Sequence, residues 1–198
     1  MRYRILAIAI LLAFYGCYFG KALSQRKKGI VTDQMGKGKT GFVKAIEVTM
    51  KAASIAVPAV ELVSVFLGTT ALPDGVRLLG AFAGFAGVGV FAASIVTMKD
   101  NWRAGVPEAG QTRLVTDGIY RISRNPAFLG FDLVYLGLAL MFFNWVLFEV
   151  SLFAGIMFHL QIVNVEEEFL LSAFGGEYQA YRQRVCRYIG RKRTKKDA

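Results

Sequence analysis

Long apolar stretches, separated by short polar segments, dominate the chain. Five of these stretches are predicted as membrane-crossing helices, since such a helix needs about 20 mostly apolar residues. They cover residues 5–20, 45–67, 76–96, 127–143 and 145–163. No stretch keeps the two-residue alternation of a half-buried strand. The pattern therefore predicts an all-α integral membrane bundle of five transmembrane helices.

Glycine and asparagine positions indicate how these helices pack. Gly16 and Gly20, and again Gly80 and Gly84, have the spacing that lets two membrane helices approach closely. In a chain with 21 glycines such pairs also arise by chance. Asn144 alone separates the last two apolar stretches, which predicts a tight helical hairpin.

The composition supports a single membrane domain. Hydrophobic residues make up 55% of the 198 positions and charged residues 19%, which excludes intrinsic disorder and disfavours a soluble globule. Two cysteines, Cys17 and Cys186, are too few for a disulfide scaffold, and one histidine, His159, is too few for a histidine-rich metal site. No metal is therefore expected.

The basic residues predict the orientation. Seven Lys and Arg residues lie in 21–44, five in 97–126 and eight after residue 163. The opposite ends of the predicted helices hold only Arg2, Arg4 and Arg77. The positive-inside rule then places the N-terminus outside and the C-terminus in the cytoplasm. Orientation accounts for the formal charge of +10, so no nucleic-acid partner is expected.

One cytoplasmic segment precedes the fourth predicted span. Asp117-Gly118 is a turn signal, and Asn125-Pro126 marks the start of a helix. Arg124 then lies at the membrane interface, beside the free N–H groups of a helix N-terminus, where an anionic group is favoured. The alternative is an arginine that only anchors the helix by extending to the interface.

A second segment, directly after the fifth span, carries three consecutive carboxylates, Glu166, Glu167 and Glu168. Negative charge is unfavourable at a helix C-terminus, unless the helix continues into the cytoplasm. These residues are either a solvated run or the partners of a cation. That cation is Arg124 or a positively charged ligand.

Both segments resemble those of the integral-membrane methyltransferases, which include isoprenylcysteine carboxyl methyltransferases and bacterial phospholipid N-methyltransferase-like proteins. The first carries Leu-Val-Thr-x-Gly-x-Tyr-x-x-x-Arg-x-Pro-x-aromatic-x-Gly from Leu114, and the second carries Glu-Glu-x-x-Leu-x-x-x-Phe-Gly-x-x-Tyr-x-x-Tyr from Glu166. The resemblance covers about 112–188. Residues 1–100 match only as hydrophobic spans.

The resemblance implies S-adenosylmethionine as cofactor, bound at the cytoplasmic membrane face, and methyl transfer to a lipid or another lipophilic acceptor. Residues 1–100 then supply three spans and a basic loop, and residues 101–198 form the cofactor-binding half, with the hairpin, a C-terminal helix and a tail. Arg124 is the expected catalytic residue, and Trp102 and Arg103 are expected to bind the acceptor, unless Trp102 only anchors the bundle at the interface. The expected cofactor-binding residues are Leu114, Val115, Tyr120, Asn125, Pro126, Phe128, Glu166 and Glu167.

Three positions depart from the family pattern. Asn125 and Phe128 stand where the family has His and Tyr, and Asn cannot act as a base near neutral pH. Ile162 stands where the prenylcysteine enzymes place an arginine for the substrate carboxylate, and an apolar residue cannot balance a buried charge. The departures favour a lipid amine, a thiol or another lipophilic nucleophile as acceptor. A bacterial or archaeal cell membrane is the expected location.

Two other functions fit parts of the pattern. Membrane sterol-type reductases share the arginine-proline loop, but their nicotinamide cofactor carries a pyrophosphate that the carboxylates would repel. A non-catalytic scaffold of the same fold would explain Asn125, Phe128 and Ile162. The oligomeric state is left open.

Overall fold

The computed structural model describes residues 1–68, 70–106 and 113–192, and in this part of the chain the regular structure is helical. The basic tail residues Arg193, Lys195 and Lys196 lie outside the described residues. The principal helices are α1 (Arg2–Lys27), α2 (Gly41–Leu67), α3 (Asp74–Met98), α4 (Pro126–Met141), α5 (Trp145–Gln161) and α6 (Glu167–Arg184). The all-α prediction is confirmed for these residues.

Among the described residues, four helical segments are long and apolar enough to cross a membrane: Arg2–Lys27, Gly41–Leu67, Asp74–Asn101 and Trp145–Arg184. The chain is accordingly an integral membrane protein. The fifth expected span, α4, is apolar but has only 16 residues. At 1.5 Å per residue it is about 24 Å long, against about 30 Å for the hydrocarbon core.

The helices alternate in direction, so the predicted basic segments meet at one end. At that end Lys28 pairs with Asp100 at 2.7 Å, and Gln25 donates to the carbonyl of Trp102 at 2.8 Å. We call this the basic end. At the other end Arg2 pairs with Asp74 at 2.7 Å.

Glycines bring α3 and α4 into backbone contact. A Cβ on Gly80 would lie 2.6 Å from the carbonyl oxygen of Gly137, and one on Gly87 would lie 2.7 Å from that of Gly130. Gly84 is equally close to α4, since a Cβ on Gly137 would lie 2.6 Å from the Gly84 nitrogen, so close packing at the Gly80 and Gly84 pair is confirmed. A Cβ on Gly16 or Gly20 would meet nothing within 4 Å. For that pair, the prediction of close helix packing is wrong within the described chain.

The predicted hairpin is confirmed at the far end from the basic segments. α4 ends at Met141 and α5 begins at Trp145. Asn144 caps α5, since its side-chain oxygen accepts from the N–H of Leu147 at 2.9 Å and its amide donates to Ser64 at 2.8 Å. Because the oxygen and the amide of the Asn144 side chain are both hydrogen-bonded, this residue ends the apolar run without a longer loop.

α5 does not stop at the basic end but continues into α6 through a π-helical turn, Ile162–Glu166. Such turns insert an extra residue into a helix and change which residues share a face. Further along, Gly175 has φ 47° and ψ −118°, a kink that suits glycine. The kink directs the rest of α6 toward the segment before α4.

Candidate functional site

A cavity of about 690 Å³ opens at the basic end of the bundle. Its walls come from α1, α2, the segments on either side of the undescribed residues 107–112, the start of α4 and the α5–α6 junction. The expected site residues that line it are Trp102, Arg103, Leu114, Val115, Tyr120, Arg124, Asn125, Phe128 and Glu166. Residues that are up to 64 positions apart in sequence thus meet in one site.

The three consecutive carboxylates have three different surroundings. Glu166, the last residue of the π-turn, lines the cavity, and the structure gives its carboxylate no hydrogen bond to a described residue. Glu167 turns away from the cavity lining and is buried against two arginines. Glu168 is exposed. Of the three, only Glu166 presents a carboxylate to the cavity.

Arg124 connects the α4 segment to α6. Its Nη2 lies 3.0 Å from Oε1 of Glu167, and its Nη1 donates to the hydroxyl of Tyr178 at 2.8 Å. The side chain also lines the cavity, and its buried Nε has no hydrogen-bond partner among the described residues. The guanidinium is therefore fixed by two protein partners, and its Nε–H has no hydrogen-bond partner among the described residues.

Glu167, an expected cofactor ligand, takes a structural place instead. Arg187 donates to it through Nε at 2.8 Å and Nη2 at 3.1 Å. The hydrogen bond to Glu167 raises the pKa of the Arg187 guanidinium, which stays charged. Arg124 contacts the same oxygen, Oε1, so two cations offset the cost of burying the Glu167 carboxylate.

The tail after α6 packs behind the loop that enters α4. The N–H of Arg124 donates to the carbonyl of Cys186 at 3.1 Å, and the N–H of Gly190 donates to that of Ile122 at 2.7 Å. The side-chain amide of Asn125 donates to the carbonyl of Arg187 at 3.1 Å. Asn125 thus supports the loop through an amide donor, in the position where the resembling family has histidine.

Tyr120 forms the wall next to α3. Its hydroxyl lies 2.8 Å from that of Ser94, and its carbonyl accepts from the hydroxyl of Tyr181 at 2.7 Å. Burial raises the pKa of Tyr120, so the phenol is neutral. Leu114 and Val115 continue this wall as apolar surface.

The start of α4 forms another wall. Pro126 is the first residue of α4 and is buried, but it does not line the cavity. No side chain caps this helix, so first-turn N–H groups remain available to an anionic group. Phe128 lines the cavity and packs on Phe158, with ring centroids 5.3 Å apart.

On the opposite wall the structure adds residues that the motifs did not indicate. Lys51 of α2 and Asp33 of the α1–α2 connection line the cavity and form an ion pair. Trp102 is buried and packs edge-to-face on Tyr18 at 5.5 Å, so for Trp102 the interface-anchor alternative is wrong. The sequence signal that could have indicated this wall is Lys51 itself, a lysine inside an apolar span.

A buried carboxylate holds that wall together. Glu47 is fully buried and accepts from the N–H of Gly36 at 2.7 Å, the N–H of Val106 at 3.4 Å and the amide of Gln161 at 3.3 Å. These donors belong to the α1–α2 connection, the α3–α4 connection and the end of α5. Glu47 therefore fixes two cavity-lining loops to the helical frame.

The cavity also reaches the lipid-facing surface between α1 and α2. Phe19, Ile55 and Leu62 line it and are at the same time 58%, 65% and 44% exposed. Ile162, in contrast, is fully buried and does not line the cavity. The residue at position 162 therefore does not determine the charge of the cavity lining. The cavity has basic side chains from other positions, because Lys51, Arg103 and Arg113 line it.

A family model described as phospholipid methyltransferase matches residues 76–177, which is more than half of the chain. The matched region contains nearly all of α3, the Arg124 loop, the hairpin and most of α6, so it includes the cavity walls at the start of α4 and at the α5–α6 junction, whereas the walls from α1 and α2 lie outside it. The chain belongs to the phospholipid methyltransferase family.

Two curated relatives match part of the chain. Over 74 residues the chain is 40% identical to the protein-S-isoprenylcysteine O-methyltransferase of Schizosaccharomyces pombe, and over 72 residues it is 33% identical to the protein of that name from Saccharomyces cerevisiae. Each match covers 36% of this chain and 30% of the relative. The chain thus matches less than a third of the length of either yeast protein.

Proposed function

We propose that this chain binds S-adenosylmethionine in the cavity at the basic end and transfers its methyl group to a lipophilic acceptor. The observation that carries the proposal is the placement of Glu166: a carboxylate without a hydrogen-bond partner among the described residues, at a cavity that Arg124 also lines. Family membership supports the reaction class and favours neither the nicotinamide-dependent reductase nor the scaffold.

The cavity residues fit the cofactor group by group. Glu166 would hold the α-amino group, and the unused Nε of Arg124, with the N–H groups of α4, would hold the α-carboxylate. Leu114, Val115 and Tyr120 would border the adenosine. In this proposal Pro126 and Glu167 act indirectly: Pro126 starts α4, and Glu167 orients Arg124.

The opening between α1 and α2 supports an acceptor that arrives from the bilayer. Phe19, Ile55 and Leu62 give its entrance an apolar surface, and Trp102 and Arg103 lie farther inside. We propose that α4 is the fifth span, because its glycine contacts with α3 hold it within the bundle. The basic end is then cytoplasmic, in accord with the positive-inside rule.

The names of the two yeast relatives make the free carboxylate of a prenylated cysteine the first acceptor to test. Bound in the cavity, the cofactor would supply an electrophilic methyl group on a sulfonium. One oxygen of the acceptor carboxylate would form the new C–O bond as the C–S bond breaks, and the sulfur would leave as a neutral thioether. The acceptor carboxylate is already ionised, so no base has to remove a proton from it. The protein has only to align the reactants and exclude water.

The purified chain in detergent should move label from methyl-labelled S-adenosylmethionine to a farnesylated cysteine with a free carboxylate. The matched control acceptor is its carboxamide, which keeps the lipid but lacks the nucleophile. Label on the carboxylate compound alone supports the proposal. Label on phosphatidylethanolamine alone would assign a lipid amine as acceptor, and label on no acceptor would contradict methyl transfer.

A further inference from the structure

A second concave surface lies outside the cavity, on the lipid-facing side of α1 and α3 at the basic end. It is a groove of about 470 Å³. Gly16 and Gly20 line it from α1, and Val96 lines it from α3. Three lysines and one aspartate surround its polar end, namely Lys21, Lys28, Lys99 and Asp100.

The glycines keep this groove open. Both are exposed, and a Cβ on either would meet nothing within 4 Å. Beside them Val96 is 71% exposed. A furrow with an apolar floor at the surface of a membrane protein has a shape and polarity that suit an acyl chain.

The lysines give the groove a net positive charge. Asp100 pairs with Lys28 at 2.7 Å and lies 3.7 Å from Lys21. Lys99 forms no ion pair with a described residue, so three ammonium groups share one carboxylate at this end. Lys99 is also the one residue other than glycine with a positive φ, 51°, in the described chain. An uncommon backbone conformation thus accompanies this charge.

We propose that this groove binds an anionic phospholipid, with its phosphate between the three lysines and one acyl chain along Gly16 and Gly20. Such a lipid complements both the charge and the apolar floor, whereas a neutral phospholipid complements only the floor. A second copy of the chain is a poorer occupant, because a two-fold contact through the glycines would bring both sets of lysines together. This inference does not depend on the proposed function.

The test measures retention of phosphatidylglycerol and phosphatidylcholine on the purified full chain by native mass spectrometry. The variant Lys21→Gln/Lys28→Gln/Lys99→Gln removes the groove's ammonium groups. The matched control, Arg26→Gln/Lys27→Gln/Lys44→Gln, removes three exposed charges near the same end that do not line the groove. We expect the wild type and the control to prefer phosphatidylglycerol, and the groove variant to bind it about tenfold or more weakly.

A second variant keeps the charges and fills the groove. Gly20→Leu has open space for its side chain, so it should fold and yet lose the phosphatidylglycerol adduct. Equal weakening in the two triple variants would overturn the proposal, as would the same retention of both lipids by the wild type. A dimer that Gly20→Leu abolishes, without a lipid adduct on the wild type, would assign the groove to a second copy.

Discussion

Lys51, which no motif indicated, places a positive charge on the cavity wall formed by α2 and the α1–α2 connection. It lies about 15 Å along α2 from Gly41 and faces the cavity in an ion pair with Asp33. On the proposed function its ammonium is positioned to bind an anionic group of the acceptor.

The substitution Lys51→Met should raise the KM for a carboxylate acceptor about tenfold, because it removes one charge-assisted hydrogen bond. The Kd for S-adenosylmethionine should stay unchanged. Lys44→Met, on the exposed side of the same helix, is the control and should alter neither constant. Initial-rate kinetics with equilibrium cofactor binding separate the two effects, and a weakened cofactor Kd in Lys51→Met would argue against an acceptor role.

The three carboxylates at 166–168 show that the sequence does not predict which neighbour a single side chain faces. Their number and their place after an apolar span leave two alternatives, a solvated run or the partners of a cation. Which carboxylate faces which cation depends on the π-turn Ile162–Glu166, whose extra residue changes the helix register. The pattern of residues does not reveal that turn, so Glu167 was expected beside Glu166 in the site but lies against Arg124 and Arg187.

At the scale of helices, the close packing of α3 against α4 depends on glycines, which have no side chain to separate the two backbones. Replacing Gly87 by Val would place a Cβ 2.7 Å from the carbonyl oxygen of Gly130 and force the helices apart. Gly87→Val should lower the free energy of unfolding by about 1–3 kcal/mol, the usual cost of overpacking. Gly89→Val, with nothing within 4 Å, is the matched control. Thermal unfolding in detergent compares them, and equal midpoints would contradict the packing described here.

The same comparison shows why spacing alone does not predict helix contacts. Gly16 and Gly20 have the spacing of Gly80 and Gly84, yet only the second pair touches another helix. The partner of a glycine face is set by where the neighbouring helices lie, which depends on contacts distant in sequence. By contrast, Asn144 lies so close to both apolar runs that the hairpin follows from the sequence itself.

For the whole molecule, the distribution of charge predicts orientation in the membrane. The α1–α2 and α3–α4 connections and the tail share the basic end, and Arg2 and Asp74 lie at the other. In a bacterial host, alkaline phosphatase fused after Leu72 should be active, and the same enzyme fused after residue 40 should be inactive. The reverse activities would overturn the orientation and place the cavity on the outside.

The fold was more predictable from sequence than the site was. Apolar length and basic clusters are local properties, so the helices and their common basic end follow from them directly. The cavity wall formed by Asp33 and Lys51 is held in place by the buried Glu47, which accepts from distant donors such as Gln161, and no local pattern connects these residues. The motifs contain the side of the cavity with Arg124 and Glu166. The side formed by α2 and the α1–α2 connection is apparent only in the folded chain.

The central claim is that the carboxylate of Glu166 holds the cationic end of S-adenosylmethionine. Isothermal titration of the purified chain should give a Kd about tenfold to a hundredfold weaker for Glu166→Gln than for the wild type, the cost of one charge-assisted hydrogen bond. Glu168→Gln, two residues away and exposed, should bind as the wild type does. Unchanged affinity in Glu166→Gln, or equal weakening in both variants, would contradict the proposed cofactor site.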